Sequence, residues 1–529
     1  MNKIITRLAK YNNTYKNINS IQELNNILDK IIRELDIINL NHTQMKDLIA
    51  KYSYMINNKY VLDTNYETNN NYKTLIANLN NKYNIKSNLP FRHNDINPIF
   101  GPFSKSWIHD TQLDDDISHQ DIKRRRAQFD KLNSIKYPEQ RTPEWFAQRD
   151  KKITASDAGV VVGDNHYEFP YRMIVKKTRE TFQNNEATYH GKKYEDIAKA
   201  IYEYRMNVLT KEFGMVEHPI VMCIGASPDG IISPYKNNGI NLTELVGRML
   251  EIKVPLRRMI KQDKTCRQDT PYYWDQVQLQ LECCDLDECD FWQCNLSEYK
   301  DYEDFLEDTC KSEPFRSKTT SFEKGCLIQL LPKKFISHNT EDYLSIVHEH
   351  AKFIHPPKIE MSPKDCKIWY EQELQNLDKT FPEMGLDRIV YWYLKKSKCE
   401  TIQRDKIWFD ENKGKFENMW EQITFVRSSE SYKKLFLDFV DSTEFKSTNI
   451  LNNIYDKDRT TYFKLKNMKE EIEHIKNDVI FAFLNKLKDS KKSDKIYKLI
   501  EDNNNKCKNI VDDNELKEEL EKLYIKLTK

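Results

Sequence analysis

Glycine sets the tightest limits on how this chain can fold. Only twelve of the 529 residues are glycine, and eight of those fall between Gly159 and Gly247. A residue without Cβ permits tight turns and close approach of two backbones. Its concentration in one stretch, and its absence from residues 1–92, separates a turn-rich mixed α/β middle from helix-prone flanks. The expected organisation is a helical N-terminal region over 1–92, a connector over 93–140, an α+β domain over 141–335 and a helical C-terminal region over 336–529. A chain this long exceeds what one compact core holds.

The flanks read as helical from their spacing. Ile21, Leu24, Leu28, Ile31 and Leu35 recur at three- and four-residue steps, as on one face of a helix. The connector carries an acidic run at Asp114, Asp115 and Asp116 and a basic run at Lys123, Arg124, Arg125 and Arg126. The C-terminal region opens with aromatic residues, among them Trp369, Trp392, Trp408 and Trp420, and ends in a Lys/Glu-laced helical tail. Trp392 and Trp408 either pack into a core or stack on nucleic-acid bases.

Composition narrows the function classes. Charged residues make up 31% of the chain and hydrophobic ones 39%, yet the formal net charge is only +1. Any surface for nucleic acid must therefore be a local patch. No run of about 18 apolar residues occurs, so no membrane span is expected. The opening residues lack an apolar h-region, so no signal peptide is expected either. Eleven irregularly scattered cysteines suggest reduced thiols and a cytoplasmic location.

Within the middle, "TPEWFAQR" reads as a helix with Thr142 as N-cap and Pro143 at its first position. "NNEATYHGKKYEDIAKAIYEYR" and "PYYWDQVQLQLECC" read as further helices. "IVMCIGASPDGIIS", "RMLEIKVP", "DFWQCNL" and "CLIQLL" read as strands. In "LEIKVP", residues two apart share a face, so Glu251 and Lys253 project together while Ile252 turns to the core. Asp229, in "SPDG", supplies a second acid. Two carboxylates suit Mg²⁺ or Mn²⁺, which take hard oxygen ligands, and a lysine beside them can act on a water or offset phosphate charge. The other reading of these three residues is a hairpin with surface charges. Against it, the acids sit among strand-forming apolar residues, where an uncompensated charge is costly.

Further candidates surround this set. Glu195, on the helix whose Ile197, Ala198 and Ile201 form an apolar face, either completes the cage or is an exposed helical acid. Its neighbour Asp196 reads as solvent-facing or as a helix-surface partner. Arg149 and Ser156, at the apparent opening of the next helix, suit a phosphate grip, and Ser227 can reach the same phosphate. Tyr272, Gln276 and Gln280 share one helical face by four-residue spacing, with Gln278 on another side. The basic run Lys253, Arg257, Arg258, Lys261, Lys264 and Arg267 can track a DNA backbone, or form a solvated loop in its distal half.

The order and spacing of Arg149-x6-Ser156, Gly191-x3-Glu195, Ser227-x-Asp229, Glu251-x-Lys253 and Gln276-x-Gln278 resemble the YqaJ-type viral recombinases. These are alkaline exonucleases related to phage lambda exonuclease, within the PD-(D/E)xK nuclease superfamily. The flanks look like elaborations found in large DNA viruses. The resemblance covers about Arg141 to Tyr299. It implies a mixed central sheet flanked by helices, and a site for two Mg²⁺ or Mn²⁺ ions. By the same likeness Asp229, Glu251 and the Ile252 carbonyl bind metal, Glu195 assists, and Lys253 acts at the water or scissile phosphate with support from Gln276 or Gln278. Arg149, Ser156 and Ser227 would hold a 5′-terminal phosphate. The implied activity is 5′→3′ degradation of linear duplex DNA in recombination, repair or genome processing, by a dimer or ring in the host cytoplasm or virion. The interval from Asp229 to Glu251 is longer than in compact phage members, which suggests an inserted loop, and the long flanks could replace the usual oligomer contacts. Two alternatives stay open: an endonuclease or single-strand nuclease on the same site, including the CRISPR-associated RecB-like branch, and a non-catalytic DNA-binding or scaffold protein. Some RecB-like members hold an iron–sulfur cluster, but Cys284, Cys289 and Cys294 lack a tight Cys-x2-Cys pair, so no cluster is expected.

Overall fold

The computed structural model describes residues 116–179, 186–239, 242–336, 343–444, 459–489, 493–507, 509–510 and 512–529. The expected N-terminal helix around Ile21 to Leu35, and the connector before residue 116, lie outside the described residues. Helix α1 (Asp116–Asn133) occupies most of the described part of the stretch read as connector. Its Phe129 and Leu132 are buried in the main core, and Arg124 and Arg125 pair with Asp287 and Glu288. The basic run thus docks a helix onto the α/β domain.

Helix α2 (Pro143–Asp150) starts as its sequence predicts: the Thr142 hydroxyl accepts from the Trp145 amide, and Pro143 sits where no donor is needed. Strand β1 (Ile153–Thr154) leads through a 3₁₀ turn at Ala155–Asp157 into the short helix α3 (Ala158–Val162), followed by α4 (Pro170–Thr178) and α5 (Glu186–Met206). Strands β2 (Thr210–Lys211), β3 (Val216–Glu217), β4 (Ile224–Ala226), β5 (Gly230–Ile232) and β6 (Met249–Lys253) come next. Helix α6 (Pro271–Cys284) connects β6 to β7 (Glu288–Glu298), and β8 (Lys324–Pro332) follows.

The stretch "IVMCIGASPDGIIS" is two strands in two sheets. Pro228 cannot donate to a ladder, so the chain turns a corner at Ser227-Pro228-Asp229. The smaller sheet has the order β1-β4-β3. The larger is mixed, with seven strands in the order β2-β5-β6-β7-β10-β8-β9; within it β6 and β7 run parallel and the other neighbours antiparallel. Parallel strands need a crossover, and α6 provides it.

The region read as helical from 336 on contributes two strands to this sheet. They are β9 (Lys352–Ile354) and the 20-residue β10 (Met384–Gln403), which lies between β7 and β8. The period-two alternation of Val390, Trp392 and Leu394 marks β10, but register shifts at Leu386/Arg388 and Leu394/Lys396 break it into short pieces. Trp392 and Trp408 are buried, which settles their two readings in favour of core packing. Beyond β10 the chain is helical: α7 (Lys406–Arg427), α8 (Glu430–Ser442), α9 (Arg459–Asp489), α10 (Ser493–Cys507) and α11 (Asp513–Thr528).

Two apolar layers hold the large sheet. Helix α5 packs Ile197, Ala198 and Ile201 with Leu250, Ile252 and Trp292 on one side. Helix α6 and the C-terminal helices form the main core on the other. Gly159 lets α3 touch α6, since a Cβ there would meet Tyr272 Cβ at 2.5 Å. Gly247, at φ 77°, turns the chain into β6. All eleven cysteines are free thiols, and no helix among the described residues is long and apolar enough to cross a membrane.

Candidate active site

The β5–β6 ladder pairs Gly230 with Leu250, so the next rung sets Asp229 opposite Glu251. Asp229 Oδ2 accepts from the Ile252 amide at 2.6 Å, which ties the Ser227-Pro228-Asp229 corner to β6. Glu251 and Lys253 share a face, with Nζ 2.5 Å from Glu251 Oε1, while Ile252 enters the core under α5. Glu251 is 1% exposed. Its carboxylate is held from α6: Gln276 donates to Oε1 at 2.6 Å and Gln280 to Oε2 at 2.7 Å. Gln280 was legible as the four-residue partner of Gln276. Gln278 is placed elsewhere; its amide donates to the Gln403 carbonyl and its oxygen accepts from the Asp405 amide, joining α6 to the β10–α7 junction.

The electrostatics follow from crowding. Burial, then the charges of Glu251 and Glu195, push the Asp229 carboxyl well above the usual range. Burial also raises Glu195, opposed by Arg141 at 3.0 Å. Burial alone would lower the Lys253 ammonium, but Glu251, Tyr273 and Asp229 together more than offset it and the net shift is upward. Lys253 also lies 4.7 Å from the centre of the Tyr273 ring, a contact that favours the cation. Asp196 points outward and pairs with His355 at 3.0 Å.

A second cluster lies beside the first. Arg149 donates to Thr154 and Ser156, both at 3.3 Å, and stacks over Trp145 at 4.5 Å. The Trp145 indole in turn donates to Ser227 at 3.0 Å. Arg149, Ser156 and Ser227 therefore come together through Trp145, which spacing did not single out. Ser156 lies in the 3₁₀ turn and not at the start of a long helix. Behind it, Lys176 pairs with Asp157 at 3.6 Å. Most of the basic run after β6 is already paired. Arg257 meets Glu186, Arg258 meets Asp269 and Gln293, and Lys261 meets Asp269, although Arg257 remains 82% exposed.

Residues 144–287, which span both clusters, match the model of the YqaJ-like viral recombinase domain. An uncharacterized protein of Acanthamoeba polyphaga mimivirus is 35% identical to the chain over 327 residues, 61% of this chain and 59% of that relative, so the match spans less than two thirds of the relative's length. Two crystal structures of the alkaline exonuclease LHK-Exo, one with dAMP and one described as from Laribacter hongkongensis, align with 54% of this chain and 93% of theirs. Their identities are 17% and 19% and their TM-scores 0.29 and 0.28, too low to bear on the fold.

Over the matched residues the donor set suits a hard cation: the carboxylates of Asp229, Glu251 and Glu195 lie close enough that the charges of the latter two raise Asp229. Each carboxylate is satisfied by the chain itself, from Lys253, the two glutamines, the Ile252 amide and Arg141. Accordingly no three His, Cys, Asp or Glu side chains among the described residues converge at coordinating distance.

Proposed function

We propose that the chain is a divalent-metal-dependent deoxyribonuclease, degrading linear duplex DNA 5′→3′ in recombination, repair or genome processing. The observation that carries this reading is the end of the β5–β6 ladder, where Asp229 accepts from the Ile252 amide beside the Glu251–Lys253 pair, with Glu195 close enough for its charge to act on Asp229. The match to the YqaJ-like domain supports DNA as the substrate.

Asp229, Glu251 and the Ile252 carbonyl would hold Mg²⁺ or Mn²⁺, two ions per site by the family likeness, with Glu195 assisting. When bound, the cation supplies Lewis acidity at the phosphate and offsets charge that builds in the transition state. Gln276 and Gln280 orient Glu251 through both of its oxygens. Lys253, with its pKa raised, stays an ammonium, which fits a charge-offsetting role better than proton abstraction. Arg149, Ser156 and the Trp145-anchored Ser227 offer donors for a terminal phosphate. Arg257 and Arg258 can meet the DNA backbone once their acidic partners yield. By the same likeness the working form is a homo-oligomer, which sedimentation equilibrium checks.

The test uses end-labelled linear, closed circular and single-stranded DNA, with and without Mn²⁺. Linear duplex should shorten from its 5′ ends while closed circles persist. Asp229→Ala and Glu251→Ala should each lower the rate on the order of 10²–10⁴-fold. Undiminished cutting by either variant would sink the assignment, and cutting of closed circles would make the activity endonucleolytic.

A further inference from the structure

Arg141 has an unusual backbone for a partly exposed arginine. It is one of four described non-glycine residues with positive φ, at 69°. Residues with a Cβ hold that conformation only under constraint, and such strain gathers at functional positions. The constraint here is visible on both sides. The Thr142 hydroxyl donates to the Glu139 carbonyl at 2.7 Å and closes the turn. The Gln140 amide donates to the carbonyls of Phe213, at 2.8 Å, and of Pro228, at 3.2 Å. Pro228 immediately precedes Asp229, so the turn that carries Arg141 is stapled to the corner that carries the acid.

Held this way, the guanidinium lies 3.0 Å from Glu195 Oε1. The acid cluster thus has a cation of the chain's own on each flank, Lys253 against Glu251 and Arg141 against Glu195. The two differ in exposure: the Lys253 side chain is 21% exposed and that of Arg141 is 47%. An exposed ion pair contributes little to stability, so the Arg141–Glu195 contact itself is not what holds the turn. A half-exposed guanidinium can, however, leave Glu195 for water at small cost.

We propose that Arg141 is a resident counter-cation of Glu195, which a divalent cation must displace to engage that carboxylate. Arg141 is then a positioning residue that sets how tightly the site takes metal. The proposal rests on the reading of Asp229, Glu251 and Glu195 as a metal site. Its physical basis is competition: the incoming cation is repelled by the guanidinium and must break its hydrogen bond before Glu195 becomes a ligand.

The test is calorimetric titration of the full chain with MnCl₂ alone, without DNA, at fixed pH and ionic strength. Glycine accepts a φ of 69° freely, so Arg141→Gly removes the cation without demanding a new backbone. Its Tm should not fall, and it should bind Mn²⁺ about tenfold more tightly, the order expected for losing one nearby positive charge in a half-buried site. Arg141→Lys, which keeps the charge, should stay within about twofold of the unaltered chain. Unchanged or weaker Mn²⁺ affinity in Arg141→Gly, with binding still abolished by Asp229→Ala, overturns this proposal and leaves the metal-site reading intact. A lysine variant that behaves like the glycine variant overturns it as well. Absence of Mn²⁺ binding in the unaltered chain, or binding that survives Asp229→Ala, removes both.

Discussion

Single side chains divide between those whose neighbours are near in sequence and those whose neighbours are not. The Glu251–Lys253 pair follows from strand geometry, and Gln276 with Gln280 from helix geometry, so both were legible. Arg141 and Trp145 gave no signal, because their partners Glu195 and Ser227 lie far along the chain. Asp275 is a further case. It is fully buried, and burial followed by the Asp164 carboxyl pushes it up to about 8, against an opposing pull from Arg267. The folded pKa is thus above the unfolded value of roughly 4. Between those two values the folded chain keeps a proton that the unfolded chain has released, so stability falls as pH rises through that window and levels off above it. Asp275→Asn should remove this slope. Thermal melts should show it more stable than the unaltered chain by on the order of 1–3 kcal/mol at pH 8, with a much smaller difference at pH 5. An equal shift at both pH values would contradict the assignment.

Between elements, the decisive contact is that of α3 with α6. Helix α6 carries the glutamines that hold Glu251, and it lies close to α3 only because residue 159 has no side chain. The clash that a Cβ would meet includes the Tyr272 Cα at 2.7 Å, which no rotamer change relieves. Gly159→Ala should therefore cost about 1–3 kcal/mol of stability and lower the cutting rate through displaced glutamines. Denaturant melts paired with rate measurements check this, and a stable variant with an unaltered rate would show that α6 tolerates the shift. The glycine cluster that separated the middle from the flanks marks such approaches; which helix comes close could not be read from it.

Across the molecule, the sheet crosses the boundary placed at residue 335. Strand β10 pairs with β7 along one edge and with β8 along the other. A fragment of residues 141–335 would leave both ladders open and expose Trp292 and Leu327, which are buried with Trp392. It should fail to give a cooperative thermal transition, whereas a chain that retains β10 and the C-terminal helices should melt cooperatively. A well-folded fragment would restore that boundary. Further contacts tie α9 to α4, where Tyr171 donates to Glu473 at 2.9 Å and its amide donates to Asn477. The C-terminal helices thus brace the face that carries Arg149 and Lys177, whose ammonium donates to the Arg149 carbonyl at 2.8 Å.

Local periodicity was enough to place α2, α5, α6 and β6, and with them the direction in which Glu251, Lys253 and the glutamines project, because those relations repeat within two to four residues. It was not enough to place β10 in the sheet, to put α1 on the domain, or to set Arg141 against Glu195. Each of these depends on which segments, distant in the chain, are driven together when apolar faces leave water. No local repeat encodes that partnership.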